Sequence, residues 1–286
     1  MNKRQISILI IIFTIFWGLY TNEIGTTLSN PVTGTLEVYF LDVGQADSIL
    51  IRNENESMLI DAGNNEDGKL LSNYFKELEI NTFKYLVGTH PHEDHIGGLD
   101  NIIDDFNIEN IYLPDAITTT KTFTDVLTSI ENKNLLYQVP KIGETFTLGE
   151  AIIEVIYTAT DLNDLNNTSI VLRLDYGETS FLFTGDATDK TEKNLLNKNI
   201  EVDILKVGHH GSRYSTTTKF LNKVNPKYAI ISVGSPNTYG HPHTETITKL
   251  NNKNIEIHRT DNEGTILVTS DGGNIDIINV DTNVNG

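Results

Sequence analysis

The chain has 286 residues, is 38% hydrophobic and contains no cysteine, so it can build a sizeable core but has no disulfide, thiolate metal ligand or cysteine nucleophile. Its formal net charge of −18 at pH 7 excludes a broad basic face for nucleic acid or anionic lipid. A phosphate substrate stays open, because bound cations reverse the local field at a site built of carboxylates.

Lys3 and Arg4 precede the apolar run ISILIIIFTIFWGLY, residues 6–20, which reads as a secretory signal peptide or a membrane anchor. Either would place the protein outside the cytoplasm, secreted or membrane-anchored and facing outward. Residues 1–33 are therefore assigned to this segment and a polar connector, and residues 34–286 to one folded domain free of linkers and low-complexity tracts. Residues 36–43, 47–52 and 57–63 read as three successive strands in an antiparallel meander. Leu70, Leu71, Tyr74, Phe75 and Leu78 then recur at helical spacing, and FKYLVGTH returns to strand and delivers His90 at its end. The second half continues with strands AIIEVIY, SIVLRLDY, TSFLFTGD, VDILKVGHH and KYAIISVG. Helical stretches fall at residues 192–198, 217–224 and 244–251. Strands that all end in Asp, His, Ser or Asn give one rim the look of an α/β enzyme site.

His90, His92, Asp94 and His95 fall within HPHEDH, three of the eight histidines of the chain in six residues. Helical packing does not explain such a cluster. His90 and His92, alternating from a tight turn, suit one ion, and the adjacent Asp94 and His95 suit a second. In paired sites the ions sit about 3.5–4 Å apart and share a hydroxide whose pKa is lowered toward about 7. Asp186, closing SFLFTGD, is placed to bridge both ions. One of His209 and His210 is expected to face the metals, with Ser212 beside them. His241 ranks above His243 in the shaped loop SVGSPNTYGHPH, which also carries Asn237, and His258 belongs to a strand surface. Asp61 is expected to hydrogen-bond the metal-binding loop. No phosphate loop, nucleophile elbow or dinucleotide fingerprint is present, and a hydrolytic triad on Ser212 would leave HPHEDH unexplained.

HPHEDH matches the HxHxDH pattern of the metallo-β-lactamase superfamily. The segments FLDVGQADSILI, LIDAG, THPHEDHIGG, NNTSIVLRL, FLFTGD, DILKVGHHGS and SVGSPNTYGHP resemble, in order, the extracellular nuclease domain of the ComEC/Rec2 competence proteins. The resemblance implies an α/β fold, the four-layer αββα sandwich of two mixed sheets with helices outside. It also implies two divalent ions, zinc or manganese, and metal-assisted hydrolysis. The metal ligands carry over to His90, His92, Asp94, His95 and Asp186, and the supporting aspartate to Asp61. Strand order makes His241 the last metal histidine, with the HHGS pair at the same rim; the choice between them is open. Asn166 and Asn167 stand where the superfamily usually has a metal histidine, so one ion is expected to be held more weakly. Ala46 replaces a glycine common in the subfamily, and where the competence channels carry many membrane spans this sequence is expected to carry at most one.

The function expected is an extracytoplasmic metal-dependent phosphodiesterase, or DNase. Asp94 would orient a metal-bound hydroxide, and His209, His210 or His241 would serve the phosphoryl oxygens and leaving group. Rivals on the same fold are a lactonase, a β-lactamase or a phosphocholine-type esterase. A different class is a non-catalytic metal-containing binding protein.

Overall fold

The computed structural model describes residues 32–161 and 163–282; the apolar run at residues 6–20 lies outside them. Among the described residues, no helix is long and apolar enough to cross a membrane. Strands β1 (Leu36–Phe40), β2 (Ser48–Asn53) and β3 (Glu56–Ala62) form the expected antiparallel meander, and β4 (Thr82–Val87), β5 (Asn107–Tyr112) and β6 (Tyr137–Gln138) extend it in parallel. A second sheet begins with β7 (Thr145–Leu148), β8 (Ala151–Tyr157), β9 (Val171–Tyr176) and β10 (Thr179–Phe183), all antiparallel. It continues in parallel through β11 (Ile204–Lys206), β12 (Tyr228–Ile231) and β13 (Glu256–Arg259). The chain then crosses back. β14 (Thr265–Ser270) pairs antiparallel with β1, and β15 (Ile275–Val280) with β14, which completes a first sheet ordered β15-β14-β1-β2-β3-β4-β5-β6.

Three apolar layers stack these sheets into an αββα sandwich. Val38 and Phe40 of β1 point into the same inter-sheet core as Phe181 and Phe183 of β10, and the Phe40 and Phe183 rings meet at 6.3 Å. Tyr39 faces the opposite way, into a layer with Leu71 and Phe75 of the helix Gly68–Glu77, Ile102 and Ile103 of Leu99–Asp105, and Val126 of Lys121–Asn132. Beyond the second sheet, Leu182 and Leu205 pack on Leu195, Phe220, Leu221 and Leu250 of the helices Asp189–Leu195, Thr218–Val224 and Thr244–Asn251. Burial on both faces explains why these strands read as near-continuous apolar runs rather than alternating ones. Asp61 lies in β3, and His90, Asp186, His209 and His241 follow β4, β10, β11 and β12, so parallel neighbours deliver their carboxyl-end loops to one rim.

Candidate metal centre

The HPHEDH loop is held from below by Asp61. Thr89 donates its backbone N–H and its hydroxyl to the two Asp61 carboxylate oxygens, each at 2.7 Å, and His95 Nδ1 meets Oδ2 at 2.7 Å. Asp61 itself has φ 59°, a left-handed conformation that turns its carboxylate under the loop. The turn Glu93–Ile96 lies so close to the end of β3 that a Cβ on Gly97 would sit 2.2 Å from the Asn64 carbonyl carbon, and one on Gly98 2.5 Å from Ala62 O. Those two glycines let the ligand loop seat against the sheet.

Asp186 organises the centre by facing its two oxygens in different directions. Oδ1 lies 3.2 Å from His95 Nε2 and 3.7 Å from His210 Nε2, and His210 Nε2 is 3.4 Å from Asp94 Oδ2. Ligand atoms of Asp94, His95, Asp186 and His210 all fall within 4.8 Å of one another. On the other side, Oδ2 lies 3.6 Å from His209 Nε2 and 4.0 Å from His90 Nε2, which in turn is 3.0 Å from His92 Nδ1. His95 Nε2, His210 Nε2 and Asp186 Oδ1 are buried, converge on one point and have no hydrogen-bond partner. Buried polar atoms left unpaired carry a free-energy penalty that a cation would remove, so this donor set fits a metal. Histidine nitrogens and carboxylates without thiolates suit zinc and manganese alike.

The neighbouring histidines divide the work because both have left-handed backbones, φ 52° at His209 and at His210, which splay the two rings. His210 Nδ1 meets Ser232 O at 2.9 Å, which turns Nε2 to the centre. Burial and the nearby His95 hold the His90 imidazole well below its ordinary range, keeping it neutral as a ligand must be. Burial opposes ionisation of Asp94, but the adjacent His210 and His95 imidazoles hold its carboxyl below the usual carboxylate range.

Strand order pointed to His241 as the last ligand and left the His209–His210 pair open; by distance, His210 is the one that joins the other ligand atoms. The group of four takes His210, whereas His241 stands one ring further out, 6.3 Å between centroids, with its Nδ1 3.4 Å from Gln45 Nε2. The tight turn Gly208–Gly211 brings His209 and His210 up to Asp186, while His241 lies on the longer loop after β12. Asn237 pins that loop: its Nδ2 donates to Gly234 O and His241 O, each at 2.7 Å, and its Oδ1 accepts from His241 N at 3.0 Å. Of the two asparagines, Asn166 lines the cleft with a buried, unpaired Oδ1. Asn167 turns inward, where Oδ1 accepts from Thr188 at 2.5 Å and from Thr191 at 3.3 Å. His209 lies on the same side of Asp186 as His90, both nearest its Oδ2. Ser212 is buried in its turn, where its hydroxyl accepts from Tyr214 N at 3.3 Å, and His258 lies on β13 against Glu263 at 2.9 Å.

One charged residue under the centre, Lys206, escaped sequence reasoning. The ammonium of Lys206, fully buried in β11, contacts Asp47 Oδ2 and donates to Gly185 O at 3.3 Å. Asp47 Oδ1 lies 3.5 Å from His210 Nδ1, and Asp47 Oδ2 lies 3.7 Å from His95 Nδ1. A lysine inside the apolar strand VDILKVG was the available signal, since a buried ammonium requires a partner.

The centre opens into a cleft of about 480 Å³ lined by His92, Asp94, Asn166, Asp186, His209, His210, His241, Tyr239 and Gln45, among others. A four-layer sandwich with histidines and aspartates gathered at its rim defines the class: a metal-dependent hydrolase of the metallo-β-lactamase fold. Residues 41–235 match the Metallo-beta-lactamase superfamily, and the chain belongs to it. Within it the chain is similar to competence proteins. It is 30% identical over 251 residues to ComE operon protein 3 of Bacillus subtilis, covering 80% of this chain and 32% of that protein. It is 27% identical over 279 residues to Recombination protein 2 of Haemophilus influenzae, covering 94% of this chain and 33% of that one. The chain thus spans about a third of the length of these relatives. Among solved structures, the metallo-β-lactamase-fold protein YhfI of Bacillus subtilis aligns with a TM-score of 0.56 at 13% identity, over 83% of this chain and 100% of its own. The diiron β-hydroxylase CmlA of Streptomyces venezuelae aligns with 0.53 at 15% identity, over 88% of this chain and 55% of its own.

Proposed function

We propose that this protein is a phosphodiesterase acting on DNA outside the cytoplasm, with residues 6–20 as its route out or its membrane tether. The observation that carries the reading is the two-sided Asp186 carboxylate, with His90, His92 and His209 around one oxygen and Asp94, His95 and His210 around the other. Each side is a donor set for one divalent ion, zinc or manganese. When bound, such ions supply Lewis acidity toward a phosphoryl oxygen and lower the pKa of water.

The protein's own residues supply the rest. Asp94, whose side chain is 28% exposed toward the cleft, orients the attacking water by accepting its hydrogen bond. The water oxygen bonds to phosphorus as the bond to the leaving oxygen breaks, and the water proton passes to that oxygen. His241, half-buried at the mouth, is kept neutral by burial and by His210, its pKa lowered to about 4, so it donates a hydrogen bond to a phosphoryl oxygen without carrying charge. Relatives named for competence and recombination support a nucleic-acid substrate over a lactam or lactone.

The test is hydrolysis of DNA and of bis-p-nitrophenyl phosphate with manganese and zinc compared, alongside nitrocefin and a homoserine lactone. The His92→Ala/Asp94→Ala double variant is expected to lose phosphodiester cleavage entirely. Unchanged cleavage in that variant, or turnover of nitrocefin or the lactone in place of phosphodiesters, would sink the assignment.

A further inference from the structure

We propose that the rings of Tyr239 and His241 form a stacking platform for a nucleobase adjacent to the scissile phosphate. The proposal rests on the phosphodiesterase reading and deepens it to a substrate class, single-stranded nucleic acid. Tyr239 is 65% exposed yet lines the same cleft as Asp186 and His209. One face of its ring lies on His241, with centroids 5.6 Å apart and planes at 21°. His241 in turn meets the His209 ring edge-on at 5.5 Å, so an aromatic path leads from solvent to the metal centre.

The platform is built rather than loose. Asn237 ties its loop at both ends, and Gln45 Oε1 accepts from Gly234 N at 3.2 Å. An aromatic ring already fixed in place loses little conformational entropy when a second ring stacks on it.

The electrostatics of the cleft give this surface a task. None of the described residues lining it is Lys or Arg, and the chain carries a net charge of −18. Within the cleft itself, a nucleic-acid strand therefore meets no cationic side chain. Proteins that bind single strands otherwise use a basic groove together with stacking, and here stacking must carry the larger share. Stacking is indifferent to sequence, because every base has a π face.

The experiment is isothermal titration calorimetry of the full chain, with manganese present, against phosphorothioate-linked octamers of thymidine and of abasic deoxyribose. The wild-type protein is expected to bind the thymidine octamer about five- to a hundredfold more tightly, the range of alanine substitutions at base-stacking aromatics. Tyr239→Leu should erase that preference and leave abasic affinity unchanged, whereas Tyr239→Phe should keep it. Equal affinity of the wild type for the two octamers overturns the proposal, as does a preference that survives in Tyr239→Leu or failure of both octamers to bind. Cleavage of the unmodified thymidine octamer is scored separately, so loss of the platform with cleavage intact is distinguishable from failure of the phosphodiesterase reading.

Discussion

Lys206 shows how much a single residue supports in this centre. Its ammonium is completely buried, with Asp47, itself 1% exposed, as its carboxylate partner. Asp47 stands behind both His95 and His210, so the pair fixes the charge beneath two rings of the candidate metal centre. Breaking a buried ion pair by removing one member leaves the other charge uncompensated, whereas removing both is far milder. Lys206→Met is therefore expected to lower stability by about 3–5 kcal/mol in urea denaturation at pH 7, and Asp47→Asn/Lys206→Met to recover most of the loss. A double variant no more stable than Lys206→Met would show that the pair's charge balance is not what the fold depends on.

At the scale of elements, the helices Gly68–Glu77 and Leu99–Asp105 flank the ligand turn and are joined through Asp105. Lys76 Nζ lies 2.6 Å from its Oδ2, and Ser72 Oγ donates to the same oxygen. Lys76 first, then Ser72, holds the Asp105 carboxyl below its ordinary range. A carboxylate with a depressed folded-state pKa contributes stability that is present above its unfolded value, near 3.9, and is lost as pH falls through the lower folded value. With both side chains partly exposed, the pair is worth at most about 1 kcal/mol. Asp105→Asn should accordingly be less stable than wild type at pH 7 and show a shrinking difference in urea midpoints as pH drops below about 4. A difference that is constant from pH 7 to pH 3 would mean that the Asp105 charge plays no part in joining the helices.

For the whole molecule, the rim between the sheets concentrates buried acid. Asp47, Asp61 and Asp186 are each at most 2% exposed, and Lys206 is the buried ammonium among them. Ions bound by the folded protein and not by the unfolded chain stabilise by mass action, about 2.7 kcal/mol at a hundredfold excess over Kd. Chelation is thus expected to lower the thermal midpoint by roughly 5–10 °C for a domain of this size, and added manganese or zinc to restore it. A midpoint unmoved by chelator in protein verified to contain metal would separate the centre from the stability of the fold.

Much of this was legible in the sequence because it is local. HPHEDH crowds four candidate ligands into six residues, and the apolar runs of β1, β2, β3 and β10 announce strands buried on both faces. Other features depend on which distant segments meet. β14 and β15 join the first sheet only because β14 pairs with β1, a match across nearly the whole domain that periodicity cannot report. His210 rather than His241 joins Asp94 and His95, because two consecutive left-handed residues turn its ring inward. Asn166 and Asn167 are adjacent and chemically alike, yet one faces the cleft and the other braces a helix. The Asp47–Lys206 pair closes between the two sheets. Ligand type and one local cluster follow from residue chemistry and short spacing, so the sequence by itself determined them. Which rings complete the centre depends on how two sheets pack, and only the tertiary structure decided that.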